Sequence, residues 1–112
     1  MISGAHVTIG STDAEADKAF LKNVLKLPNV DVGNGRLIFA LPKTDAMVHP
    51  SDENNGHELW LMTDNVEAEV ASLKKAGVAC EAPADQGWGI VSRITLPGGG
   101  TLGLYQPKHS RP

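Results

Sequence analysis

The sequence predicts an α+β fold built from two βαβββ modules, and three observations predict it. The chain repeats itself at an offset of 52 positions. Glu15-Ala16 recurs as Glu67-Ala68, Ala19 as Ala71 and Leu21-Lys22 as Leu73-Lys74, while Val7 and Ile9 lie on Leu59 and Leu61 and Gly35 on Gly87. Around both copies an alternating strand pattern is followed by a helical one. A polar, turn-rich stretch, Ser51-Asp52-Glu53-Asn54-Asn55-Gly56, separates them. A unit this short does not close a core alone, so the copies are expected to pack together. The expected organisation is one domain over 1–112, with module 1 at about 5–50, a linker at 51–56 and module 2 at about 57–107.

In the first module Ala5 to Gly10 alternates, Val7 and Ile9 on one face and His6 and Thr8 on the other, as a half-buried strand does. Thr12-Asp13-Ala14-Glu15 reads as a capping box with Thr12 at the cap. Ala16, Ala19, Phe20, Val24 and Leu27 follow at helical spacing, and Pro28 ends the run. Gly33-Asn34-Gly35 signals a hairpin. Arg36 to Leu41 is expected as a strand, and Ala46 to His49 as another.

The second module follows the same plan. Glu58 to Met62 is a strand, and Asp64 or Asn65 caps a helix with Val66, Val70 and Leu73 on its buried face. Gly77 ends that helix. Strands are expected at Val78 to Ala82, Ile90 to Leu96 and Thr101 to Gln106, with Pro97-Gly98-Gly99-Gly100 as a turn. The tail from Pro107 to Pro112 reads as loose, and His109 within it carries no expected role.

Composition narrows the function. The net charge is −3 and the basic residues are scattered, which argues against a nucleic-acid surface. No apolar run has the length of a membrane span and the N-terminus has no signal-peptide pattern, so the expected location is the cytoplasm. The single cysteine, Cys80, has no internal disulfide partner and reads as a small half-buried side chain. There is no phosphate loop after Gly98-Gly99-Gly100, no GxSxG elbow and no HExxH.

Several segments in order resemble the vicinal oxygen chelate superfamily, which includes glyoxalase I, extradiol dioxygenases and bleomycin-resistance proteins. They are Ala5-His6-Val7, Leu25-Lys26-Leu27-Pro28, His57-Glu58-Leu59-Trp60-Leu61-Met62-Thr63-Asp64-Asn65-Val66, Leu73-Lys74-Lys75-Ala76-Gly77-Val78 and Leu96-Pro97-Gly98-Gly99-Gly100-Thr101-Leu102-Gly103-Leu104-Tyr105-Gln106-Pro107. The resemblance implies a cup-shaped mixed sheet with helices outside and a small-molecule ligand inside. It also implies a homodimer, since relatives commonly pair and sometimes exchange modules.

In metal-dependent relatives a divalent ion in the cup binds two neighbouring substrate oxygens as a Lewis acid. The resemblance places His6 and Glu58 at pseudo-equivalent ligand positions, with Fe, Mn, Ni or Zn as candidate metals. Gln106 and His49 are candidates to complete the set, and His57 is available under a one-residue slip. Relatives usually carry glutamate two residues before Tyr105, where this chain has Gly103; the matching place in the first module is Ala46. Glu58 is also the candidate general base, with Arg36 or Arg93 as its alternative ion-pair partner. Thr8, Trp60, Met62 and Tyr105 are expected to line the pocket, with Trp88, set between two glycines, as a lid. Three readings follow: a metal-assisted glyoxalase or dioxygenase, a metal-free binding protein of the bleomycin-resistance type, and a dimer with a filled cup.

Overall fold

In the computed structural model, which describes residues 6–45, 47–52, 54 and 56–111, the second module forms its helix and three of its expected strands. Strand β3 (Trp60–Met62) leads into helix α2 (Val66–Lys75), then β4 (Ala84–Asp85), β5 (Gly89–Thr95) and β6 (Thr101–Pro107). The sheet order is β3-β6-β5-β4, with β3 parallel to β6 and the other neighbours antiparallel. Asn65 caps α2, its side chain accepting the Ala68 N–H at 3.1 Å. Gly77, at φ +84°, takes the left-handed conformation just past the helix, where a side chain would be strained. The stripe Val66, Val70 and Leu73 is buried against Ile94, Leu96, Leu102 and Leu104 of the sheet. The expected strand over 78–82 is reduced to one bridge, Cys80 with Ile94.

The first module is shorter than its pattern. Helix α1 (Ala14–Asn23) ends at Val24 and does not reach Leu27, because Lys26 turns left-handed at φ 57° before Pro28. Asp13, not Thr12, caps it, accepting from the Ala16 N–H at 3.2 Å. Thr12 instead donates its hydroxyl to the Gly98 carbonyl at 2.9 Å, and buried Asp17 accepts the Gly98 N–H at 2.8 Å. These two bonds dock the start of α1 on the β5–β6 turn, and Phe20 reaches the common core. Strands β1 (Asn29–Asp31) and β2 (Leu37–Phe39) form the expected hairpin through Gly33-Asn34-Gly35, all three at positive φ. They stand as a separate two-stranded sheet.

Two expected strands do not form. Residues 6–10 are irregular and exposed, and so are Met47 to Pro50; Ala5 and Ala46 lie outside the described residues. A strand needs a ladder partner for its N–H and C=O groups, and among the described residues neither segment is paired with one. Met47 and Val48 are therefore 84% and 97% exposed. The accessible surface of 8332 Å² exceeds the roughly 5,900 Å² typical of a folded monomer of this mass. The radius of gyration, 14.9 Å, likewise exceeds the ~13 Å of a compact domain of this length. No described helix is long and apolar enough to cross a membrane.

Candidate functional site

Alternation along β6 sorts the sheet's two faces. Leu102 and Leu104 face α2, so Gly103 and Tyr105 face the other way. In register with Gly103 are Trp60 on β3 and Arg93 on β5, and in register with Tyr105 are Met62 and Val91. This open face is the wall of the expected cup.

Its centre is an aromatic trio. The rings of Trp60, Trp88 and Tyr105 meet edge to face, with centroids 5.4 to 5.9 Å apart. Two glycines make the seats. A Cβ on Gly103 would lie 2.3 Å from Cε3 of Trp60, so the indole reclines directly on the strand backbone. A Cβ on Gly89 would lie 2.9 Å from Cδ2 of Tyr105. Trp60 donates its indole N–H to Glu58 at 2.9 Å, and the Arg93 guanidinium stands 5.0 Å from the Trp60 ring centroid. Trp88 remains 47% exposed, in the position of a rim.

The structure brings together Trp60, Tyr105 and Trp88 of the expected pocket, with Met62 beside them on β3. Thr8 lies in the irregular N-terminal segment, exposed and outside this cluster. The expected metal donors do not assemble. Among the described residues exposed His6 makes no hydrogen bond, and His49 bonds only its neighbour's carbonyl, Pro50, at 2.9 Å. Gln106 points to the α2 side, where its Oε1 accepts the Val66 N–H at 3.1 Å; the strand's alternation requires this once Tyr105 faces the cup. Glu58 is engaged by Trp60, and neither Arg36 nor Arg93 pairs with it. The place of the relatives' last-strand glutamate is covered by an indole. Among the described residues no group of three or more His, Cys, Asp or Glu comes together to hold a metal ion. The donor set present does not fit a catalytic metal, which takes three protein ligands.

The tail is anchored rather than loose. Lys108 donates its backbone N–H to the Trp88 carbonyl at 3.0 Å and pairs through its ammonium with Asp85. His109 stacks on Tyr105 and its Nε2 lies 3.1 Å from the Tyr105 hydroxyl. Arg111 pairs with Asp45 at 2.7 Å, and that bond, with the Arg111 charge, holds the Asp45 carboxyl below its ordinary range. Lys108, with help from the Gly87 N–H, does the same for Asp85. A cavity of about 580 Å³ opens under this tail, lined by Met62, Thr63, Asp64, Gln106, His109 and Arg111. It adjoins the aromatic trio without containing it. Sequence reasoning missed the tail because its contacts are long-range. The glycine seats had a legible signal, since a lone glycine inside a strand marks close approach of another group.

Known folds agree with this geometry. No family model and no curated protein matches the chain. Among solved structures, TnmS3, an antibiotic binding protein from Streptomyces sp. CB03234, superposes with a TM-score of 0.69 at 26% identity, over 96% of this chain and 100% of its own. A glyoxalase/bleomycin resistance protein from the same organism gives 0.62 at 26% identity, over 88% and 95%. Lactoylglutathione lyase from Agrobacterium tumefaciens gives 0.67 at 14% identity, over 93% and 92%, a likeness of fold alone. The chain shares the fold of glyoxalase/bleomycin-resistance proteins, the architecture of the vicinal oxygen chelate superfamily.

Proposed function

We propose that this chain is a metal-free small-molecule binding protein of the bleomycin-resistance type, holding an aromatic ligand against Trp60, Trp88 and Tyr105. One observation carries the reading: an indole lies on Gly103, where metal-dependent relatives place a ligand. Half-buried Trp60 and exposed Trp88 offer apolar area over the buried Tyr105, and Glu58, Arg93 and the Tyr105–His109 pair supply polar edges, the composition of an organic-ligand site. Glu58, the carboxylate beside the trio, already accepts the indole N–H. The likeness to an antibiotic binding protein supports binding over turnover.

The same reading includes a homodimer. The excess accessible surface, on the order of 2,400 Å² per chain, matches what an obligate partner buries. A second copy would pair the open segments 6–10 and 47–50 and supply the missing wall of the cup.

The test is tryptophan fluorescence with a panel of planar ligands, beside metal analysis by mass spectrometry. Saturable quenching that survives chelator and is lost in Trp60→Ala supports the proposal. The competing metal-assisted reading, with His6 and Glu58 as ligands, expects near-stoichiometric Mn, Fe, Ni or Zn uptake that His6→Ala abolishes; that result would overturn the proposal.

A further inference from the structure

We infer that Arg93 makes this site selective for planar aromatic ligands that carry an anionic oxygen, such as an aryl carboxylate. The inference rests on the binding reading above. Trp60, Gly103 and Arg93 form one cross-strand row over β3, β6 and β5. Because Gly103 has no side chain, the indole leans across it and the guanidinium comes within 5.0 Å of the ring centroid. This contact holds the arginine beside the aromatic trio without consuming its hydrogen bonds.

The charge of Arg93 is unspent. Among the described residues its guanidinium makes no ion pair and no hydrogen bond, although it carries five donors. The one carboxylate that the sequence offers as its partner, Glu58, gives its oxygen to the Trp60 N–H instead. Lys108 and Arg111, by contrast, are paired with Asp85 and Asp45. Arg93 is half-buried, so its charge is less screened than that of a free surface arginine. A flat ring held by the trio therefore has one free planar fork within reach, and that geometry matches a carboxylate in two parallel bonds.

The probes are 2-naphthoate and its neutral counterpart 2-naphthamide, titrated against intact protein by tryptophan quenching. The expected result is naphthoate binding tighter by about tenfold or more, as for a charge-assisted hydrogen bond. Arg93→Gln should erase the difference between the probes, and Arg93→Lys should restore part of it. Circular dichroism checks that both variants fold. Equal binding of the two probes, or a preference that persists in Arg93→Gln, overturns the inference while leaving the binding reading intact. Quenching by neither probe overturns both.

Discussion

Gly103 is the seat of the Trp60 indole. A methyl group there would lie 2.3 to 2.9 Å from three indole atoms, so the ring must lift or the strand must shift. We expect Gly103→Ala to destabilise the fold by about 1–3 kcal/mol, as overpacking does, and to move the tryptophan emission; denaturant unfolding with fluorescence reads both. Asp17 is the second residue with an outsized part, a buried carboxylate joining α1 to the β5–β6 turn. Asp17→Ala should cost on the order of 1–3 kcal/mol, because the Gly98 N–H is left without its acceptor. Cys80 has a different fate. Burial raises its thiol above the ordinary range, which keeps it protonated at neutral pH. Iodoacetamide at pH 7 should modify native Cys80 more slowly than the unfolded chain, as mass spectrometry over time would show.

At the scale of elements, the start of α2 and the end of β6 secure each other. Two of the helix's first amide groups are satisfied by Asn65 and Gln106, and Gln106 reaches there from the strand that carries Tyr105 on its other face. The tail after β6 is held by two aspartates whose carboxyl groups sit below the ordinary carboxylate range. A depressed folded-state pKa means the contribution is present above the unfolded value and is lost as pH falls through the folded one. The Lys108–Asp85 and Arg111–Asp45 pairs should thus persist at neutral pH and release the tail only below about pH 4. Shifts of the Lys108 amide and Trp88 indole signals in an NMR pH titration would report it. An unchanged spectrum below that pH would count against this anchoring.

At the scale of the whole molecule, the first module is unfinished within one chain. Its hairpin stands apart from the four-stranded sheet, and its apolar residues at 7, 9, 47 and 48 face solvent. Exposed apolar surface of this extent marks an association site. Sedimentation is expected to find a dimer at micromolar concentration, shifted toward monomer in Val48→Asp. A stable wild-type monomer would require another occupant for these segments.

The sequence by itself determined the repeat, the helices near their true places, the hairpin turn, and three of the four strands of the second module's sheet as local signals. All of these are properties of near neighbours: periodicity, capping side chains and positive-φ turns act within a few residues. Local pattern also proposed strands at 5–10 and 46–49, but it says nothing about whether an edge is available to pair them. Nor did it reveal that Gly103 is a seat rather than a vacancy, that Gln106 turns toward the helix, that His109 stacks on Tyr105, or that Arg111 is held from afar. Those were decided only in three dimensions, because register across strands chooses which side chains share a face, and contacts such as Arg111 with Asp45 join residues far apart in the chain.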